Sequence, residues 1–307
     1  TLGGLTIQNV TNLASQLNGD INLNWSLGGD KVIGLSVVDS SLAKNSSAVP
    51  LCRVKYFSLT GTQICITGIQ DIVNNDANNV NTVIGGGCLT VTNVVALNAK
   101  VFLEGPYNSG TQLMGDALRS AGLVPAVEPY TALGFAQAGG GGGETVNPDV
   151  FNVTGNNAIV DWVLLELRST TAPYAIIATK CALVQRDGDV VGLDGTSSVI
   201  IQQPAASYRI AVRHRNHLGA MVGIAAGLST SLTSGVDLTD PLMPTYGSDA
   251  RRTIGSTSVL WSGNTVRDVQ VKYTGVTNDR DPILVAVGST TPNNTINGYV
   301  GADTNMD

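Results

Sequence analysis

Apolar and polar side chains alternate in short runs through most of this chain, and clusters of turn-forming residues cut the runs. Over the first hundred residues "DINLNWSL", "CRVKYFSL", "TQICITGI" and "GCLTVTNVVALNAKVFLEG" are separated by "LGGD", "LTGT", "NNDANN" and "IGGG". A period of two puts successive side chains on opposite faces, so each run predicts a half-buried strand and each cluster a tight turn. Helical periodicity is absent from this region. Charged residues make up 13% of the chain, against about 25% in an average protein. Long solvated helices need Glu and Lys on their outer faces, so the charge deficit points the same way as the alternation. The 36 glycines fit short strands joined by turns.

The segment "VFLEGPYNSGTQLMGDALRSAGLVPAVEPYTALGF" breaks the pattern, and "SGTQLMGDALRSAG" predicts one short helix confined by its Gly and Pro neighbours. Strand-like text resumes from Thr154 with "NNAIVDWVLLELRS", "APYAIIATKCALVQRDGDVVGLDG" and "SSVIIQQPAASYRIAVRHRN". Asp187-Gly188 between two apolar runs predicts a hairpin, because glycine supplies a positive φ without steric cost. The chain therefore reads as all-β: two β-sandwich domains of the cohesin-like or immunoglobulin-like kind, over residues 1–100 and 101–260, and a tail over 261–307.

A length of 307 residues is ample for about two domains of roughly 100 to 200 residues each. The net charge of −6 and pI near 4.8 disfavour nucleic acid, whose phosphates select a positive surface. No apolar run approaches the roughly 20 residues of a membrane span. The first residue is Thr, so the chain is expected to be a mature product or a fragment. Four cysteines, Cys52, Cys65, Cys88 and Cys181, fit no zinc spacing. A Cys65–Cys88 bridge is expected if the protein is secreted; buried thiols are the alternative.

Few constellations carry chemistry. His214 and His217, in "RHRNH", are the two histidines. On a straight strand His214 and Asn216 share one face while His217 points with Arg213 and Arg215 to the other, so one metal cannot take both. Strand-end hydrogen bonding by the arginines is the expected role. The run Gly139 to Gly143 lacks the Lys-Ser/Thr of a phosphate loop and reads as a mobile surface loop. Asp161 and Glu166 fall on opposite faces of a strand, and Asp187 and Asp189 sit in a turn, so no acid pair for hydrolysis emerges. No nucleophile elbow is present either. Trp162 is the aromatic offered for stacking on a sugar, in a chain only 5% aromatic.

The tail holds a repeat. Aligning "LWSGNTVRD" with "YVGADTNMD" matches Asn264 with Asp303, Val266 with Asn305 and Asp268 with Asp307, an offset of 39 residues. Asp303, Asn305 and Asp307 alternate as oxygen ligands do at the opening of a calcium loop. In the first copy Val266 stands at a ligand position and Arg267 adds a positive charge, which weakens a hard-cation site. That copy would draw on Asn264, Asp268, Asn278, Asp279 and Asp281, or bind no metal. Calcium is the one cofactor expected.

Two resemblances extend these readings. The stretch "VIGLSVVDSSLAKNSSAVPLCRVKYFSLTGTQICITGIQDIV" with "GGGCLTV" resembles the later strands of cohesin-like modules, the receptors for dockerins. From about Val101 onward, "LEGPYNSGTQLMGDALR", "TGNNAIVDWVLLELR", "YRIAVRHRNHLGAM", "DPLMPTYGSDARR" and "VKYTGVTNDRDPILVAVG" resemble the C-terminal region of large secreted surface proteins of Bacteroidota, of haemagglutinin-like or dockerin-containing type. The resemblance implies a dockerin-like tail and a non-enzymatic adhesive or structural role at the cell surface. The expected partners are copies of the same chain, joined head to tail into a fibre or tube by contact of residues 264–307 with residues 1–100 of the next copy. A carbohydrate-binding adhesion module taking surface glycans is the alternative, and a secreted hydrolase the third reading.

Overall fold

The computed structural model describes residues 94–229 and 234–307, together with six strands ahead of them. The chain divides into two compact units, Thr1–Asn93 and Val94–Asp307. The protein is built mostly of strands in antiparallel sheets, with few helices.

In the first unit three antiparallel pairs are described. Leu5–Asn12 pairs with Cys52–Ser58 across a bulge between Ile7 and Asn9. Ile21–Trp25 pairs with Lys31–Leu35, flanking the expected "LGGD" turn. Gln63–Cys65 pairs with Cys88–Thr90, in a register that sets Cys65 opposite Cys88.

The second unit is organised by a nine-stranded sheet. Its strands are β1 (Val95–Lys100), β2 (Ile159–Arg168), β3 (Ile176–Gln185), β4 (Asp189–Val191), β5 (Val199–Ile201), β6 (Ala206–Arg213), β7 (Ala220–Met221), β8 (Ala226–Leu228) and β9 (Ser234–Asp237). The stretch read as the last strand of the front domain is thus β1, a strand of the second unit. It pairs with β4 and β5 along one edge and, in parallel, with β9. The long hairpin β2–β3 forms the centre, β6 flanks β2, and β7 and β8 share the far edge of β6. Just beyond β8, the Ser229 carbonyl accepts the Ala96 N–H at 3.0 Å, so the chain returns to β1. The β3–β4 hairpin turns where the sequence expects it: Gly188 has φ +91° and its N–H donates to the Gln185 carbonyl.

Nine of the ten residues of β2 are buried, because both faces of the central strand are covered. Trp162, Leu164 and Glu166 form one face. Over it runs the irregular segment 123–146, tied down by the Trp162 Nε1–H donating to the Pro125 carbonyl (2.8 Å) and by the Tyr130 hydroxyl donating to the Trp162 carbonyl (2.7 Å). The expected short helix is α1 (Ala117–Ser120), held by an Asp116–Arg119 ion pair. A second helix, α2 (Arg280–Ala286), opens with Asp281 and Pro282, both favourable in a first turn. One hydrophobic core runs from Val95 to Met306 and includes Leu260 near the start of the tail. The 261–307 segment therefore belongs to the same compact unit as the sheet. No helix among the described residues is long and apolar enough to cross a membrane.

Candidate functional site

The most concentrated polar chemistry lies where β6 ends. The strand stops at Arg213, so His214, Arg215, Asn216 and His217 are not on alternating faces but on an irregular turn, and all four are buried. The straight-strand expectation for "RHRNH" fails for this reason. The two imidazoles meet edge to face, with Nδ1 to Nδ1 at 3.0 Å. His214 Nε2 contacts Asp161 Oδ2 at 3.2 Å, Arg215 Nε donates to the same oxygen at 2.9 Å, and the Tyr299 hydroxyl donates to Asp161 Oδ1 at 2.5 Å. The Trp162 N–H donates to Oδ1 as well. Arg215 also stacks on the Tyr299 ring, 4.2 Å from its centroid, and donates to the Val300 carbonyl.

The electrostatics follow from burial and pairing. Burial works to raise the Asp161 pKa, but Arg215, His214 and Tyr299 outweigh it and hold the carboxyl far below the usual carboxylate range. Arg215 is likewise driven upward by Asp161 against its own desolvation. Burial lowers the pKa of both His214 and His217, and at His217 the neighbouring His214 and Arg215 lower it further. Both rings are held neutral. The arginines do bond backbone carbonyls as expected: Arg215 takes Val300, and Arg213 takes Arg267 at 3.2 Å.

A second buried polar group lies under the 123–146 segment. Glu128, Glu144 and Cys181 are the only convergent set of three potential metal ligands among the described residues. Their lone pairs are committed to protein donors. Glu128 accepts from the N–H groups of Tyr130, Thr131 and Gly143 and from the Cys181 thiol, and Glu144 accepts from Gly142 N–H, Cys181 N–H and Lys180. Burial and the two adjacent carboxylates push the Cys181 thiol far above its ordinary range, which leaves it inert as a nucleophile. For Glu128, burial is outweighed by the bonds from Thr131 and Gly143, so its pKa is lowered.

The five-glycine run is not the mobile loop expected. Gly142 and Gly143 present their N–H groups to the two carboxylates, and Gly139 lies so close to β3 that a Cβ there would sit 2.7 Å from the Ala178 Cβ. Gly141 is pressed on Thr179 in the same way. Trp162 is fully buried, which closes it to a sugar.

The expected calcium ligands fall in two places. In the first, Asn264 closes a turn by accepting the Asp268 N–H (3.0 Å) and donating to the Asp268 carbonyl (2.8 Å). Asp268 accepts from Gln270 N–H. The buried Asp279 carboxylate takes the N–H groups of Val266 (2.9 Å) and Lys272 (2.7 Å), and Asn278 bonds Asp281. In the second, Asp303 accepts the Met306 N–H at 2.8 Å, while Asn305 and Asp307 are exposed. Burial raises the Asp303 pKa.

No family model, curated protein or solved structure matches the chain.

Proposed function

We propose that the protein is a non-enzymatic, extracellular structural or adhesive subunit that assembles with copies of itself. The observation that carries this is a set of exposed apolar side chains in the tail: Val269 is 88% exposed, Tyr273 72%, Val276 86% and Val285 66%. Val269, Tyr273 and Val276 fall within eight residues of chain, and an exposed apolar patch is the usual mark of a surface that meets another protein. The buried titratable groups support a structural role, because each is engaged with other groups of the protein. Among the described residues, the cleft between α2 and the 294–303 loop holds about 240 Å³ and a polar one beside Thr179 and Lys180 about 320 Å³, at or below the small end of the roughly 300 to 1,000 Å³ of ligand pockets. The β-sandwich architecture, the dockerin-like tail, the kinship with Bacteroidota surface proteins and any calcium in the tail belong to the same proposal.

The test is a triple variant, Val269→Asp, Tyr273→Ser and Val276→Asp, compared with the wild type by light scattering and negative-stain microscopy. These side chains lie outside the core, so the fold is expected to survive. Wild-type polymers that vanish in the variant support assembly through the tail; polymers of unchanged length would reject it. One observation favours glycan binding as a second reading. Tyr174 and Tyr246 meet edge to face at 5.1 Å, with Arg209 on the Tyr174 ring and Tyr246 exposed. A glycan array with Tyr246→Ala as the control separates it from assembly.

A further inference from the structure

The 39-residue repeat is visible in the backbone. Arg267 and Met306, equivalent positions of the two copies, are both left-handed, with φ +67° and +63°. Equivalent carbonyls of the two copies are gripped by one short stretch of chain. Trp261 accepts the Leu218 N–H at 2.8 Å, and Val300, its counterpart 39 residues on, accepts from Arg215. Asn216 touches both copies: its carbonyl accepts the Gly263 N–H, and its side-chain amide donates to the Asp303 carbonyl. The turn after β6 is therefore the clamp that seats both loops of the tail on the sheet, and the histidine pair lies within it.

The hydrogen bonds around that pair fix its protons. The Gly105 N–H donates to His217 Nε2 at 3.1 Å, so this nitrogen carries no proton. Neutral His217 must then be protonated at Nδ1, which faces both His214 Nδ1 and Asn216 Oδ1, the latter at 2.7 Å. His214 Nδ1 is thus an acceptor, and its Nε2–H donates to Asp161. Four ring nitrogens lie between a fixed acceptor, the Asp161 carboxylate, and a fixed donor, the Gly105 amide. Two protons satisfy every contact; a third cannot sit on His214 Nδ1 facing the His217 Nδ1–H 3.0 Å away, even with Asn216 Oδ1 beside both rings. If it enters at His214 Nδ1, His217 must pass its own proton to Nε2, against the Gly105 N–H; if it enters at His217, it meets the same amide directly. Gly105 has no room to yield toward the tail, since a Cβ there would overlap the Thr304 carbonyl oxygen.

We propose that this histidine pair is an acid-sensitive latch: taking up one proton pushes Gly105 off His217 and releases the Tyr299–Met306 loop from the clamp while the sheet stays folded. The charged and titratable groups facing the pair set its direction. Asp161 on β2 favours the proton, and Arg215 in the clamp opposes it. Tyr299 from the tail and Tyr130 from the segment over β2 are neutral phenols. Glu104, next to Gly105, is occupied by the Ser262 N–H and by Arg252, and Asp303 by the Met306 N–H. Both histidines are neutral when latched, whereas a released histidine titrates near its ordinary value of about 6.5. The latched state therefore binds fewer protons, and its advantage is complete above that pH and lost as the pH falls below it.

The test is hydrogen exchange by mass spectrometry on the full chain at about pH 7.5 and about pH 4.5, corrected for intrinsic rates, two conditions that bracket the ordinary histidine value. In the wild type, peptides covering 299–307 should lose protection by about tenfold or more in acid while peptides of β2 keep theirs. His217→Gln, which offers Gly105 an acceptor and His214 a donor but cannot titrate, should abolish the acid response. Equal protection of the tail at both values, simultaneous loss from β2, or an unchanged response in His217→Gln would overturn the proposal. Should that variant fold poorly, long-range nitrogen–proton spectra of the wild type still decide: protons on His214 Nε2 and His217 Nδ1 at neutral pH are required, and any other pair of tautomers rejects the latch.

Discussion

Asp161→Asn keeps the shape of the buried centre and removes its negative charge. Asp161, His214 and Arg215 have fully buried side chains, and Asp161 accepts from Trp162 N–H, Tyr299, His214 and Arg215. The substitution leaves the Arg215 guanidinium buried without a counter-charge, a situation that costs about 3 to 5 kcal/mol. It also turns one carboxylate oxygen into an NH₂ group facing other donors, which costs about 1 to 3 kcal/mol more where it cannot be relieved. Because the two penalties overlap, the expected loss is about 4 to 6 kcal/mol, a large part of the roughly 5 to 15 kcal/mol that holds a domain together. For a unit of this size each kcal/mol moves Tm by about 2 to 4 °C, so a drop of roughly 10 to 20 °C is expected by calorimetry. Removing both charges, as Asp161→Leu with Arg215→Met, should cost less than Asp161→Asn alone, since no isolated ion remains. Because Asp161 is held below its ordinary pKa, its contribution is present above about pH 3.9 and fades as acid protonates the folded carboxyl. A loss under about 1 kcal/mol in urea denaturation of Asp161→Asn would show that Arg215 is not electrostatically dependent on it.

Three further outcomes are expected. Gly141→Ala should destabilise by about 1 to 3 kcal/mol through its clash with Thr179, and more than Gly143→Ala, where nothing lies within 4 Å of the added Cβ and only the φ of +76° is unfavourable; equal melting temperatures for the two variants would contradict the contact. Peptide mapping under non-reducing conditions should recover Cys65 linked to Cys88, which face each other in register, with the buried Cys181 free; complete alkylation of all four thiols without reduction would rule the bridge out. Chelating calcium should lower Tm by less than about 10 °C, because the Asp279 carboxylate and Asn264 side chain already hold the first loop through protein hydrogen bonds; a larger fall would mean the ion is a structural element of the tail.

What the sequence disclosed is what local geometry controls. The apolar strand text of β2 and β3, the Asp187-Gly188 turn and the 39-residue offset all concern residues a few positions apart or strictly periodic. They reappear as a paired hairpin, a left-handed Gly188, and matching left-handed residues at Arg267 and Met306. The buried centre is made the opposite way: Asp161 meets His214, Arg215 and Tyr299 across separations of 53, 54 and 138 residues, which no spacing rule reaches. Reading His214 and His217 onto opposite faces was sound for a strand and wrong because β6 ends at Arg213, before either histidine. The glycine run misled for a related reason. Its composition favours mobility in isolation, but a chain without Cβ atoms is also what can lie flat on a strand and turn its N–H groups into a carboxylate, and only the tertiary partners Glu128, Glu144 and Thr179 decide between the two. One signal was present: "RHRNH" packs four long polar side chains and an amide into five residues of a chain otherwise poor in charge. In such a chain a dense polar cluster flanked by apolar strands is expensive to bury unless it is fully paired, so its partners must come from elsewhere in the fold. Asp161, set in the middle of the apolar run "AIVDWVLL", and Glu166, farther along β2, are the acidic residues on that strand placed to be such partners: the structure joins Asp161 to His214 and Arg215, and Glu166 to Arg213.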